Sequence, residues 1–191
     1  MVSRSGESEY CRATDTSTTH LTRSVHVYPD FNGNRSPVAD PTLAGAIVGL
    51  RIDDTLESLA CLYLATIQAL AYSTRHVIET QATYAGTTVS ELVVCGGLSK
   101  NPLYRTALAD ACGCKIVVPS ESESMLLGSA VLGGVAAGVW PQLSDALSVT
   151  TVSSTQDPDP STAAFHNAKY TVFRRMLEDQ QSYQAIMATA T

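Results

Sequence analysis

Several features that would point to particular protein classes are scarce or missing in this 191-residue chain. Aromatic residues make up only 6% of it, and no run of 18 apolar residues occurs. The second absence excludes a transmembrane helix. Acidic residues outnumber basic ones, for a formal charge of −6. That balance argues against a nucleic-acid partner or an anionic membrane. Hydrophobic residues nevertheless reach 45%, a globular composition whose core must be mostly aliphatic.

The cysteines are odd in number and irregularly spaced, at Cys11, Cys61, Cys95, Cys112 and Cys114. This pattern does not resemble a disulfide framework, so we expect reduced thiols and a cytoplasmic location. The Cys-Gly-Cys run at residues 112–114 suggests a metal site. No second Cys or His pair stands at a suitable distance, and we predict no metal ligands.

Residues 1–24 are rich in hydroxyl side chains and lack hydrophobic periodicity, so we predict a disordered leader. A transit peptide is the alternative, favoured by three arginines and opposed by three acidic residues. Residues 25–191 then form one domain. Strand patterns at 25–28, 92–95 and 115–118 alternate with helix patterns at 102–112 and 122–137. A long helix capped by Asp53 or Asp54 runs to about Tyr84, a solvated loop spans 153–162, and a final helix follows at 163–188.

The long helix carries apolar residues at three- and four-residue steps, which predicts one buried stripe. The stripe includes Leu56, Leu59, Ala60, Tyr63, Ile67, Leu70, Ala71, Thr74 and Ile78. The strand–helix alternation that follows indicates an α/β layer, with a central mixed sheet flanked by helices and a C-terminal helix.

The most informative stretch is "ELVVCGGLSKNPL", which reads as a strand, a glycine pair and a helix start. Ligands of open α/β sheets bind at such a place, because backbone N–H groups and a helix N-terminus face outward there. Gly96 and Gly97 allow close approach, and Ser99 and Asn101 either cap the helix or face a ligand. A bare, well-capped turn is an equal alternative from spacing alone. The stretch is neither a Walker A loop nor a GxGxxG fingerprint.

Four stretches together resemble the C-terminal domain of the FGGY carbohydrate kinases. They are "PDFNGNRSPVADPTLAGAIVGL", "LATIQALAYSTRHVIE", "CGGLSKNPLYRTALADACGCKIVVP" and "ESMLLGSAVLGGVAAGVW". The resemblance implies an actin-like ATPase fold of the ribonuclease H-like type. The tail "YTVFRRMLEDQQSYQAIM" favours the ribulokinase-like branch. By position, it implies that Gly96 and Gly97 lie beside the nucleotide, that Asn101 lies near the adenine and that Ser99 accompanies them.

The resemblance also implies ATP with Mg²⁺ as cofactor and a ketopentose such as ribulose, or a pentitol, as substrate. The family places its catalytic base in the other domain, in a glycine-aspartate context, and none of the aspartates here follows a glycine. We therefore expect no catalytic residue and no Mg²⁺ ligand within this chain. The chain alone is expected to be inactive, as a fragment, an isoform or half of a split enzyme, and to meet the sugar only with an N-terminal domain.

Two alternatives remain open: a non-catalytic interaction module that keeps the scaffold, and a relic that binds no nucleotide. An apolar face left uncovered would favour self-association into a homo-oligomer.

Overall fold

The computed structural model describes residues 18–121 and 123–190, and the side chains of residues 147 and 148 are excepted. Its strands and helices follow the chain in this order: β1 (His26–Tyr28), β2 (Ala46–Val48), α1 (Leu56–Ala85), β3 (Glu91–Val93), α2 (Pro102–Cys112), β4 (Lys115–Pro119), α3 (Ser124–Ala136), β5 (Val152–Gln156) and α4 (Ala163–Ala188). Short 3-10 helices lie at Thr18–Thr22, Leu98–Lys100, Leu143–Val149 and Pro160–Thr162. No described helix is long and apolar enough to cross a membrane.

The strands form two small sheets. β1 and β2 pair antiparallel, with Val27 opposite Ile47. In the second sheet β4 is central: it runs parallel to β3 and antiparallel to β5. α2 connects the parallel pair, so β3–α2–β4 is a βαβ unit that places the carboxyl ends of β3 and β4 at one edge.

α1 and α2 both have clear signals at their two ends. Thr55 caps α1 by accepting a hydrogen bond from the Ser58 N–H, and Gly86 ends it in the left-handed conformation. Asn101 caps α2, Pro102 occupies its first turn, and Gly113 ends it at φ 64°.

The main core lies where α1, α2 and α4 pack on β1 and β4. Its members include Tyr28, Ile67, Leu108, Ile116 and Phe173, each buried. α1 and α2 form the most extensive of the contacts between described helices, and small residues such as Ala71, Ala107 and Ala111 allow that close approach.

α3 is a contrasting element. Its sequence, SMLLGSAVLGGVA, is apolar around most of its circumference, yet Val131 is its one buried residue in the described structure. Met125, Leu126 and Leu132 are largely exposed.

Three sequence predictions need correction. The leader was expected to reach residue 24, but Thr18–Thr22 is a 3-10 helix whose Thr22 is fully buried against Gln68. Residues 1–17 of the leader lie outside the described residues. The loop predicted at 153–162 contains most of β5, because its serines and threonines pair with β4. The helix cap is Thr55, while Asp53 accepts a hydrogen bond from the Thr55 N–H just outside the helix.

The buried stripe of α1 was also predicted partly wrongly. Ile67 and Ala71 are buried as expected, but Leu56, Leu59 and Tyr63 are more than half exposed. The first two turns of α1 are covered only in part: Leu62 packs against the small cluster around Val27, and the Tyr63 hydroxyl accepts a hydrogen bond from Asn101, while most of the apolar periodicity there stays exposed.

Candidate functional site

The candidate site is the glycine loop, defined here as residues 95–101, between β3 and α2. Gly96 has φ 88°, a left-handed conformation that favours glycine. The chain then makes a single 3-10 turn, Leu98–Lys100, before α2 begins. The loop therefore lies just beyond the carboxyl end of β3, the ligand-binding edge of open α/β sheets.

Side chains of the loop itself hold its shape. The Ser99 hydroxyl donates to the Gly96 carbonyl oxygen at 2.7 Å, and Ser99 is buried. The Arg105 guanidinium donates to the Ser99 carbonyl oxygen at 2.7 Å. Asn101 accepts from the Leu103 N–H at 3.0 Å and donates through Nδ2 to the Tyr63 hydroxyl at 2.9 Å. These bonds preorganise the loop without any ligand.

Gly97 differs from Gly96 in what the fold requires of it. Its backbone is ordinary right-handed helical, with φ −60° and ψ −43°, which any residue adopts. A Cβ built on it would meet no atom within 4 Å. Neither backbone strain nor packing within the described structure therefore explains the glycine at this position.

A cavity of about 230 Å³ opens on one side of the glycine loop. It lies beyond the ends of β3 and β4, and its lining combines cationic side chains, hydroxyl groups and the backbone of the glycine loop. Its lining residues are Val94, Cys95, Gly96, Ser99, Lys100, Arg105, Val118, Pro119, Ser120, Glu121, Ser153 and Ser154.

The structure divides the four residues predicted for nucleotide binding into two pairs. Gly96 and Ser99 line the cavity, whereas Gly97 and Asn101 do not. The Asn101 carboxamide instead meets Tyr63 of α1. A ligand that touched all four would have to lie across the loop rather than only inside the cavity.

Sequence reasoning missed several residues of this region. Arg105 lines the cavity and fixes the loop, and Ser153 and Ser154 reach it from β5. The β-forming residues Val152 and Thr155 were a signal for that strand. Nothing in the sequence indicated Tyr63, because its contact depends on how α1 packs against α2.

The Cys-Gly-Cys run lies away from the cavity and has properties unlike those of a metal centre. Burial raises the pKa of Cys112 to about 12, and burial also raises the pKa of Cys114. Burial therefore favours the protonated form of both thiols, and a metal ion would have to displace those protons. No group of three or more His, Cys, Asp or Glu side chains is arranged for a metal ion in residues 18–121 and 123–190.

Comparison with known proteins identifies the family. The sequence model described as "FGGY family of carbohydrate kinases, C-terminal domain" matches residues 3–137. This chain belongs to the FGGY family of carbohydrate kinases. The match confirms the predicted resemblance, and it starts inside the segment that we assigned to a leader.

Two curated relatives show how much of the family's length is present. The chain is 46% identical over 168 residues to an FGGY carbohydrate kinase domain-containing protein of Xenopus laevis, covering 87% of this chain and 30% of the relative. It is 29% identical over 163 residues to a D-ribulokinase of Saccharomyces cerevisiae, covering 85% of this chain and 22% of that protein. The chain thus spans less than a third of the length of these relatives.

Solved structures agree on the fold. Gluconate kinase from Lactobacillus acidophilus superposes with a TM-score of 0.75 at 19% identity, over 95% of this chain and 38% of that one. Plasmodium falciparum glycerol kinase with ADP superposes with a TM-score of 0.66 at 21% identity, over 83% of this chain and 31% of that one. The predicted actin-like α/β fold class is confirmed.

Proposed function

We propose that the glycine loop binds the adenosine end of ATP or ADP and forms the nucleotide side of a carbohydrate kinase cleft. Gly97 is the observation that carries this proposal. Neither the backbone conformation nor the packing requires a glycine at this position, as described above. A nucleotide that approached the loop backbone would require the space that a side chain would fill. Gly96, Ser99 and Asn101 complete the proposed contacts.

The charges around the cavity suit the phosphates of the same ligand. Lys100 and Arg105 line it together with the hydroxyls of Ser120 and Ser153. α2 has 11 residues and begins at the loop, so its N-terminus adds partial positive charge. We expect Mg²⁺ to arrive with the nucleotide, and Glu121 is the one carboxylate among the described residues that line the cavity. We assign no metal ligand to this chain.

The proposed substrate is a ketopentose such as ribulose, or a pentitol, phosphorylated on a hydroxyl group. The support is similarity to a yeast protein named D-ribulokinase and to the tail of the ribulokinase-like branch. The sugar would contact the family's other domain, and the reduced thiols fit a cytoplasmic setting.

We propose further that the 191 residues alone do not catalyse the phosphorylation of a sugar. Phosphoryl transfer depends on positioning and charge stabilisation, so a cleft without its base and second wall should lose nearly all of its rate. A coupled ADP-release assay with ribulose, xylulose and pentitols should give no signal above the no-enzyme blank. Robust turnover of any sugar would contradict this part of the proposal.

A pair of variants tests the nucleotide contact. In the parent chain, Mg-ATP should raise the unfolding temperature, because a ligand that binds only the folded state stabilises it. Gly97→Val should fold normally but lose that rise, since its side chain would occupy the ligand's place. Ala85→Val, at the exposed end of α1, should keep the full rise. An unchanged ATP response in Gly97→Val would contradict the proposed contact.

A second candidate, an interaction module, is favoured by the exposed apolar side chains of α3. We propose that this face associates with a second copy of the chain in solution. Sedimentation velocity should show a dimer that Met125→Lys disrupts. Met187→Lys, an exposed methionine near the end of α4, should not disrupt it. A monomer at all concentrations would exclude self-association through α3.

A further inference from the structure

A second cavity shares no lining residue with the cavity at the glycine loop and lies between the 3-10 helix Thr18–Thr22, β1 and α4. Its volume is about 500 Å³. We call it the basic cavity, because His20, Arg23, His26 and Lys169 all line it. Its other lining residues are Ser161, Ala164, Phe165, Ala168 and Val172, with no carboxylate among the described residues that line it. This is unusual in a chain with a formal charge of −6.

Lys169 places a buried positive charge in the wall of the basic cavity. The residue is 6% exposed. Its Nζ donates to the carbonyl oxygens of Thr22 at 2.8 Å and Val25 at 2.5 Å, and to His26 Nδ1 at 3.2 Å. These contacts use its three N–H donors, but they are all to neutral groups. No carboxylate pairs with Lys169 anywhere in residues 18–121 and 123–190, and burial lowers its pKa to about 8.

His26 is fixed as a neutral hydrogen-bond donor next to that charge. An ammonium group only donates, so Nδ1 of His26 accepts and the ring proton must lie on Nε2. Burial, and secondarily the positive charge of Lys169, lowers the pKa of His26 to about 4. At neutral pH the ring thus offers one N–H and no charge of its own.

Two further donors surround the opening. Arg23 is exposed, and its guanidinium carries several N–H groups in a fixed plane. The His20 ring packs edge-on against Phe165, with ring centroids 4.6 Å apart, so its position is defined by an apolar neighbour. The cavity therefore combines a planar cation, two imidazoles and a buried ammonium whose charge is not balanced within the described residues.

We propose that the basic cavity binds a small phosphate-bearing anion, either inorganic phosphate or a phosphate monoester. A phosphate dianion would supply the counter-charge that Lys169 lacks and accept several N–H donors at once. A guanidinium matches phosphate geometry by bidentate hydrogen bonding, and the exposed Arg23 side chain lines the cavity. This site is separate from the glycine loop, because it is built from the first described residues and α4 instead of β3 and α2.

Titration of the full chain with inorganic phosphate, followed by imidazole NMR signals, tests the proposal. The signals of His20 and His26 should shift saturably, and those of His76, which does not line the cavity, should not. Potassium chloride at matched ionic strength should leave all of them in place. Absence of a saturable shift at His20 and His26 at tens of millimolar phosphate would overturn the proposal.

Variants distinguish a specific phosphate site from general attraction of phosphate to positive charge on the protein. Arg23→Gln changes an exposed side chain, so the fold should persist, and phosphate affinity should fall by about 10-fold. Lys169→Met should abolish binding. Arg175→Gln removes an exposed α4 cation that pairs with Glu178 and Asp179, and should leave the affinity unchanged. Equal losses in Arg23→Gln and Arg175→Gln would show attraction to net charge and would refute the site.

Asn101→Ala distinguishes the basic cavity from the glycine loop. Asn101 belongs to the proposed nucleotide site, so its variant should retain phosphate binding at the imidazoles even if its response to ATP is lost. Loss of the His20 and His26 shifts in Asn101→Ala would contradict two independent sites.

Discussion

α2 and α3 are helices of similar length in the same domain, and they differ in how their apolar residues are used. α2 buries five consecutive residues, 107–111, between α1, α4 and β4. α3 is the more apolar sequence, yet Val131 is its one buried residue in the described structure. A helix that is apolar all round is normally enclosed. Burial here is decided by the available partners and not by composition.

The contacts of α3 are local. A Cβ on Gly134 would lie 2.4 Å from the Trp140 ring, so the chain folds back on α3 immediately after it ends. Its most extensive contacts with another described element are with the 3-10 helix Leu143–Val149. The difference between α2 and α3 teaches that, among the described residues, α2 belongs to a completed core while α3 is an apolar element whose larger face remains accessible.

Two matched leucine substitutions should give the largest contrast. Leu108→Ala, in α2, removes a side chain that is 1% exposed and should cost about 2–5 kcal/mol of unfolding free energy. Leu126→Ala, in α3, removes one that is 67% exposed in the single chain and should change the stability of the monomer, measured at dilute concentration, by less than about 0.5 kcal/mol. Urea denaturation followed by circular dichroism measures both. Similar costs would show that α3 is packed as firmly as α2.

A drop in pH should act on the packed region through His166 of α4. Burial, and next the charge of His20, lowers the pKa of His166 from 6.5 to about 4, and its Nδ1 bonds the Tyr72 hydroxyl at 2.9 Å. Because the unfolded state then binds the proton more readily, stability should fall as pH drops from 6.5 toward 4. Between pH 7 and pH 5 this group should account for about 2 kcal/mol.

His166→Gln isolates that share of the pH dependence. The unfolding free energy of the variant should depend less steeply on pH than that of the parent between pH 7 and pH 5, whatever its absolute stability. Burial also lowers the pKa of His26 and His76, so some slope should remain. An identical slope in variant and parent would contradict a neutral, buried His166.

Glycine replacements within α3 should give the smallest effect and sharpen the view of its open face. Gly128→Ala should stabilise by up to about 1 kcal/mol, because alanine favours helix and the new methyl group meets no atom within 4 Å. Gly134→Ala should not stabilise, since its methyl group would collide with the Trp140 ring. Thermal unfolding compares the two. A loss of stability in the monomeric Gly128→Ala variant would indicate that the chain itself covers this face.

The helices were predictable where local signals define their ends. Pro102 and Gly113 bracket α2, and the predicted bounds 102–112 and 163–188 match α2 and α4. β5 was not predictable, because its serines and threonines are typical of a loop and form a strand only by pairing with β4. The exposed start of α1 was missed for a similar reason: periodicity shows which face is apolar, and not where the covering elements end.

The candidate site likewise has a part that local sequence predicts and a part that it does not. The glycine loop and the cap formed by Asn101 follow from local sequence, since a left-handed glycine and a helix N-cap are short-range features. Arg105 and Tyr63 join the loop through the packing of α1, α2 and the sheet, which no local pattern encodes. The basic cavity has the same origin, because Lys169 reaches the Val25 carbonyl oxygen across 144 positions of sequence.

The central claim is that the glycine loop binds a nucleotide, and amide NMR of the folded chain titrated with Mg-ADP tests it most directly. We predict saturable shifts at Gly96, Gly97 and Asn101. With folding confirmed by circular dichroism, unmoved signals at these three amides at millimolar Mg-ADP would contradict the claim.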